Sequence, residues 1–277
     1  AGLSTRSLSQ QAIPLVVRSG RVRTSVAEPY WTDGQVTLYL GDCREVLPAL
    51  SLAADCVVAD PPYVETSLAW DRWPDGWLRA AAGVTRSLWC FGSLRMYLIH
   101  AAEFGQVWTL SQDIIWEKHN GSGFAADRFK RVHEHAAHWY RGPWASIYHE
   151  TPRIATGVDP RSRKNVGTRV PSLDQHHGVL NGRLETDDGT RLVRSVIRVR
   201  SMHNLPRLSN TQKPVGILDP LISYACPPGG LVVDPFAGSG STLEAARCSG
   251  RRAIGIEIHE PYAEAAARRL SQGTLIA

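Results

Sequence analysis

No run of apolar residues in this 277-residue chain reaches the roughly 18 needed to span a bilayer, and its start lacks the basic-then-apolar layout of a secretory leader. Both absences lead to the expectation of a soluble, cytoplasmic protein without a membrane partner. Paired cysteines are missing as well. Cys43, Cys56, Cys90, Cys226 and Cys248 are odd in number, scattered, and never spaced as CxxC. That pattern excludes a disulfide framework and a zinc ribbon and leaves reduced thiols. No repeat of solenoid length occurs, so an array of stacked units is excluded too.

Acidic residues are absent from the first stretch up to Arg23, which carries four arginines, and they are scarce from Arg141 to Ser209, where twelve Lys or Arg face six Asp or Glu. The net charge is only +5, so the rest of the chain sums to about −5. Positive charge gathered into two segments is the footprint expected of a nucleic-acid partner, although a solvated basic surface has the same composition.

What is present alternates between strand and helix signals. VTLYLGD (36–42) and ADCVVAD (54–60) read as strands, WLRAAAGV as a helix and SLWCFG as a strand. SLRMYLIHAAEF has apolar residues at helical spacing, and SQDIIWEKH is a further strand. Past a Gly-, Pro-, Arg- and Asn-rich interval come a helix behind Pro214, the strand LVVDPF, a helix ended by Gly250, the strand RRAIGIEI and a last helix from near Pro261. This is the pattern of an α/β protein with a mostly parallel sheet. The expected organisation is a loosely ordered basic tail (1–30), one half of a sheet domain (31–143), a basic insertion (144–208) and the other half (209–277).

The stretch LVVDPFAGSGST (231–242) breaks a buried strand into Gly238 and Gly240 and then opens a helix. Glycines permit the tight turn and close ligand approach, and a helix N-terminus offers free N–H groups to an anion. A purely structural turn has the same form. Glu257 ends the next strand, where a dinucleotide fold places its ribose-binding carboxylate, and where an acid can equally cap a helix. The loop lacks both the third glycine of GxGxxG and a GK[ST] ending, which disfavours NAD and a P-loop triphosphate. A nucleoside with only a carboxylate to hold, S-adenosylmethionine, suits the shorter turn.

Asp60, Pro61, Pro62 and Tyr63 follow the buried strand ADCVVAD. Two prolines fix the backbone and remove two donors, leaving a carboxylate, a carbonyl and an aromatic face. That set suits an NH2 group on a flat ring. The Asp60 carboxylate and Pro61 carbonyl can each accept one N–H, directing the amine lone pair at an electrophilic methyl, while Tyr63 stacks on a base swung out of its duplex.

Together, DPPY, SNTQKP (209–214), DPFAGSGST and IGIEI resemble the blocks of the DNA amino-methyltransferases in the order of their β group. LYLGDCREVLPAL (38–50) resembles the short block preceding DPPY, and residues 114–140 the stretch lining the target-base pocket. The resemblance spans most of residues 36–270. It implies a circularly permuted Rossmann-like methyltransferase sheet with a target-recognition insertion. It further implies S-adenosylmethionine as cofactor, methylation of an amino group in double-stranded DNA, a nucleoid-associated location and, in many relatives, a homodimer.

By position, the resemblance makes Asp60, Pro61, Pro62 and Tyr63 catalytic. Asp60 also borders the cofactor. Asp234, Phe236, Gly238, Gly240, Ser241 and Thr242 would cradle its methionine part, Glu257 the ribose, and Asp42 with Cys43 the adenine. Thr211 and Lys213 would meet the methionine carboxylate. The Asp opening the catalytic block leans toward N6-adenine over N4-cytosine as target.

Arg161, Arg163, Lys164 and Arg169 are the expected phosphate contacts in the basic insertion. His133, His135 and His138 form HxHxxH, with His176 and His177 beyond, but no HExxH spacing accompanies them. They are read as surface or DNA-facing residues, and no metal is expected. Trp70, Trp73 and Trp77 are read as packing residues.

Overall fold

A computed structural model describes residues 28–122, 127–155, 189–199 and 212–272. Its main sheet is built from β1 (Trp31–Thr32), β2 (Val36–Leu40), β3 (Cys56–Ala59), β4 (Ser87–Gly92), β5 (Thr109–Ser122), β6 (Arg131–Tyr140), β9 (Val196–Arg198), β10 (Leu231–Asp234) and β11 (Arg252–Glu257). Two short strands, β7 (Arg153–Ala155) and β8 (Thr190–Leu192), form a separate antiparallel pair. The helices are α1 (Cys43–Leu50), α2 (Trp77–Val84), α3 (Leu94–Val107), α4 (Val215–Ala225), α5 (Ser241–Cys248) and α6 (Glu260–Ser271).

The spatial order is β1-β2-β11-β10-β3-β4-β6-β5-β9. Strands β2, β11, β10, β3 and β4 run parallel, and β6 lies antiparallel between β4 and β5. The late strands β10 and β11 thus sit between the early strands β2 and β3, as expected of a permuted Rossmann-like sheet. The basic interval also contributes to this sheet, since β9 pairs parallel with the outer edge of β5.

Continuous apolar runs make the central strands because both faces are covered. Every residue of β3, β4 and β10 is buried. Alternate residues feed opposite layers. Val58, Trp89 and Val232 pack with Leu221 of α4, Leu243 of α5 and Ala266 of α6. Val57, Leu88 and Val233 pack with Leu47 of α1, Trp77 of α2 and Phe104 of α3. Helix starts follow local capping, since Asp42 accepts from the Arg44 N–H (2.9 Å) and Ser93 from the Met96 N–H (3.0 Å).

The helix read from SLRMYLIHAAEF is present, but its apolar residues divide between faces. Met96 and Phe104 are buried, whereas Leu94, Leu98 and Ile99 are exposed. Among the described residues no helix is long and apolar enough to cross a membrane.

Adjacent strands β3 and β10 send their chains to opposite sides, β3 toward α2 in one layer and β10 toward α5 in the other. Divergent connections at neighbouring strand ends open a crevice at the carboxyl edge of the sheet, where ligands of open α/β folds bind.

Candidate active site

Four acids stand at the carboxyl ends of four neighbouring strands: Asp42 after β2, Glu257 ending β11, Asp234 ending β10 and Asp60 after β3. Their environments differ. Asp42 caps α1 and pairs with Arg44 at 2.5 Å, which holds its carboxyl below the usual range. Glu257 accepts from the Gly238 N–H and the His259 N–H, each at 2.8 Å, and burial raises its pKa despite those donors. Asp234 is pushed up to about 7, chiefly by burial and further by the charges of Asp60 and Glu257. The Phe236 N–H (2.9 Å) and Thr242 hydroxyl donate to it and work the other way. Cys43, beside Asp42, is a buried thiol whose pKa burial pushes up to about 12.

The glycine loop is bound to this row through its backbone. Gly238 and Gly240 both lie in the left-handed region, at φ 51° and 80°. A side chain at Gly240 would press within 3.2 Å of the Ala266 Cβ, so this glycine lets α6 approach the turn. A side chain at Gly238 would meet nothing nearer than the Phe236 carbonyl at 3.9 Å, so the space beside it is open. The Phe236 ring packs edge-on against the fully buried Trp77, with centroids 5.1 Å apart. Ser241 and Thr242 are buried in the first turn of α5, where the Ser241 hydroxyl accepts from Arg269 at 3.1 Å.

Across the crevice, the Tyr63 phenol donates to Asp60 Oδ1 at 2.6 Å, and the Lys213 ammonium donates to Asp60 Oδ2 at 2.5 Å. Burial, together with the Asp60 and Glu134 carboxylates, holds the Tyr63 phenol well above its ordinary range, so it stays an O–H donor. Lys213 lies on the Phe91 ring, 5.1 Å from its centroid, and 3.4 Å from Glu134 Oε2. Burial disfavours its charge, but the two carboxylates outweigh that and raise its pKa. Beyond Tyr63 the chain is clasped by Asp71, which accepts from the N–H groups of Val64 (2.7 Å), Glu65 (2.9 Å) and Thr66 (2.7 Å). Val64 itself is left-handed at φ 58°, an uncommon state for a β-branched residue.

Asp42, Cys43, Asp60, Pro61, Pro62, Tyr63, Lys213, Asp234, Phe236, Gly238, Gly240, Ser241, Thr242 and Glu257 therefore all lie at or just beyond one edge of the sheet. Thr211 and the basic residues Arg161, Arg163, Lys164 and Arg169 lie outside the described residues, as do His176 and His177. Of the other histidines, His135 pairs with Asp113 at 3.3 Å, while His138 is wholly buried against Trp89 and Tyr224, contrary to the surface reading. Trp73 and Trp77 pack as expected, with Trp73 stacked on His100 and its indole N–H donating to Glu103 at 2.6 Å. Sequence reading singled out neither Glu134 nor Asp71. Asp71 follows DPPY by only eight residues, and an acid there could have signalled a loop clasp.

Comparison with known proteins decides the family. A model of the N6/N4 DNA methylases matches residues 54–268, most of the chain. The chain belongs to the N6/N4 DNA methylase family. It is similar to the type II methyltransferase M.ScaI of Streptomyces caespitosus, at 23% identity over 292 residues covering 95% of this chain and 90% of that one. Among solved structures it resembles an M1.HpyAVI–SAM complex, with a TM-score of 0.60 at 21% identity over 85% of this chain and 98% of that one. It also resembles PvuII DNA methyltransferase, described as cytosine-N4-specific, with a TM-score of 0.59 at 14% identity over 90% of each chain. These structures share the fold, and the methylase sheet expected from the sequence is the one found.

The N6/N4 methylases depend on S-adenosylmethionine, which makes it this DNA methyltransferase's cofactor. The residues present fit such a group. The site joins an open space beside Gly238, a helix N-terminus with small hydroxyl residues, the buried acid Asp234, and Glu257, whose carboxylate is held in place by backbone N–H groups.

Proposed function

We propose that this methylase modifies the exocyclic N6 of an adenine swung out of double-stranded DNA. The observation that carries this reading is the Asp60 carboxylate, partly open at the end of β3, with the Tyr63 phenol on one oxygen and the glycine loop on the neighbouring strand. S-adenosylmethionine supplies an electrophilic methyl when bound. Asp60 and the Pro61 carbonyl accept the two N–H groups of the target amine, which orients its lone pair and stabilises the positive charge growing on nitrogen. Pro62 fixes the turn, and Tyr63 offers its ring to the extrahelical base.

On the cofactor side, Asp234, Phe236, Gly238, Gly240, Ser241 and Thr242 hold the methionine part and Glu257 the ribose. Asp42 and Cys43 border the adenine, and Thr211 contributes to the carboxylate site. Arg161, Arg163, Lys164 and Arg169 contact backbone phosphates, a role supported by the charge of their segment. The enzyme works as a homodimer in the cytoplasm, on nucleoid DNA. Light scattering that gives a monomer at every concentration removes the dimer.

The decisive experiment incubates the protein with duplex DNA and methyl-labelled S-adenosylmethionine, then digests the product to nucleosides. N6-methyladenine is expected. N4-methylcytosine alone would move the target to cytosine, the base named for the PvuII methyltransferase that shares this fold. Cofactor binding without transfer to any DNA would leave a non-catalytic DNA-binding protein. Asp60→Ala should abolish turnover and leave cofactor affinity largely intact.

A further inference from the structure

Four charged side chains from four separate segments run in one line behind the proposed amine acceptor. Lys118 of β5 pairs with Glu134 Oε1 of β6, and Glu134 Oε2 lies 3.4 Å from the ammonium of Lys213, just before α4. Lys213 in turn reaches Asp60 Oδ2 at 2.5 Å. Signs alternate along the line and cancel. Side-chain exposure rises from 9% at Lys213 and 14% at Glu134 to 26% at Asp60, so the line opens to solvent at the acid where a substrate would approach.

A lone ammonium against Asp60 would weaken that carboxylate as an acceptor. It would also place a fixed positive charge beside an amine that becomes positive during methyl transfer. Glu134 answers both difficulties. Its charge divides the pairing of Lys213 and neutralises the ammonium, while Lys213 and, next, Lys118 keep Glu134 ionised against burial, so that its carboxyl stays below the usual range. In the transfer itself the amine lone pair forms the N–C bond, the C–S pair stays with sulfur, and one amine proton leaves to solvent.

We propose that Glu134 is a positioning residue for methyl transfer, acting through Lys213 to fix the Oδ2 edge of Asp60 and to cancel the ammonium's charge beside the target amine. This rests on the reading that Asp60 receives that amine. It also assigns Lys213 to the catalytic carboxylate instead of the methionine carboxylate.

The test measures steady-state methylation of duplex DNA and calorimetric cofactor affinity with the full chain. Glu134→Gln should lower kcat about 30- to 100-fold while the KM for DNA and the cofactor Kd stay within about threefold. Glu134→Asp, which keeps the charge with a shorter reach, should fall between that variant and the parent. Adding Lys118→Met to Glu134→Gln restores neutrality and should recover about fivefold or more in kcat, whereas a purely structural role makes the double variant worse than the single. Parental kcat in Glu134→Gln, a loss confined to KM or Kd, or no recovery in the double variant would each overturn the proposal. If thermal melting shows Glu134→Gln unfolded, Glu134→Asp decides alone, since a fall in kcat at constant KM and Kd supports the proposal and parental kcat ends it. A parent protein that methylates no DNA removes the reading of Asp60 and this inference with it. An active parent with an unaffected Glu134→Gln removes the inference alone.

Discussion

Tyr63 reaches back across two prolines to donate its phenol to Asp60 Oδ1 at 2.6 Å. The contact separates two duties of one residue, because the hydroxyl orients the carboxylate while the ring face is left for a base. Tyr63→Phe keeps the face and should lose about 10- to 150-fold at most in methylation, a single hydrogen bond to a charged group being worth about 1.5–3 kcal/mol. Tyr63→Ala also loses stacking, worth about 1–3 kcal/mol per base, and should fall about a further fivefold or more below Tyr63→Phe in kcat/KM on duplex DNA. Equal losses in the two variants would make the hydroxyl, and not the ring, the working part.

Gly238 and Gly240 share a left-handed backbone but face different surroundings, so alanine at each should fail in a different assay. Both substitutions incur about 1 kcal/mol or more of backbone strain. At Gly240 the new Cβ would also crowd Ala266 of α6 at 3.2 Å, and the larger loss should appear in the urea midpoint. At Gly238 the new methyl enters open space beside Phe236, so the larger loss should appear as cofactor affinity in calorimetry. The reverse pattern would show that the open space at Gly238 is not where the cofactor lies.

Trp77 links the core to the glycine loop, with its ring edge-on to both Phe236 and Phe104. Removing the whole side chain in Trp77→Ala should destabilise the fold by about 3–5 kcal/mol and weaken cofactor binding as Phe236 loses its support. Trp77→Phe should be much milder, costing about 1.5 kcal/mol or less. The indole N–H is buried with no hydrogen-bond partner among the described residues, so deleting it relieves a penalty that offsets part of the cavity. Urea denaturation of the two variants checks the ordering, and a Phe variant as unstable as Ala would contradict it.

The parts of this site legible in the sequence are those written contiguously. ADCVVAD and LVVDPF are apolar on both faces because β3 and β10 are buried on both faces, and each run breaks into its functional turn within two residues. Relations between distant segments were not legible. Glu134 and Lys213 are 79 positions apart and meet only because β6 inserts antiparallel beside β4 while the chain leading into α4 passes over the same edge. The helix read from SLRMYLIHAAEF was correct as a helix, but apolar spacing could not distinguish the stripe of Met96 and Phe104 that faces the sheet from the exposed Leu94, Leu98 and Ile99. HxHxxH misled for a related reason. Strand alternation sends His138 inward, to Trp89 and Tyr224, and composition carries no sign of that.

His138 makes a defined, pH-dependent contribution to the stability of the fold. Its ring is fully buried, Nε2 bonds the Ser87 hydroxyl at 2.9 Å, and Nδ1 has no hydrogen-bond partner among the described residues. Burial, reinforced by the nearby His149, lowers its pKa to about 4 from the ordinary 6.5. The folded protein therefore keeps a neutral ring that the unfolded chain would protonate. The stability this supplies is complete above pH 6.5, declines as pH falls, and is gone once pH has dropped through about 4. The total is about 3 kcal/mol, with a limiting slope of about 1.4 kcal/mol per pH unit. Asp234 works in the opposite direction. Its pKa is raised to about 7, so its contribution is greatest when it is protonated at low pH and is lost as pH rises through about 7. Across pH 6.5 to 4.5 the two contributions have opposite slopes of about one proton each and nearly cancel, so together they should leave the parent's stability in urea almost flat. His138→Gln, which cannot titrate but can still bond Ser87, should leave Asp234 uncompensated, changing the pH slope by close to one proton so that stability rises as pH falls through this window. An unchanged slope in the variant would mean that His138 takes up its proton equally in both states and is not held neutral by the core.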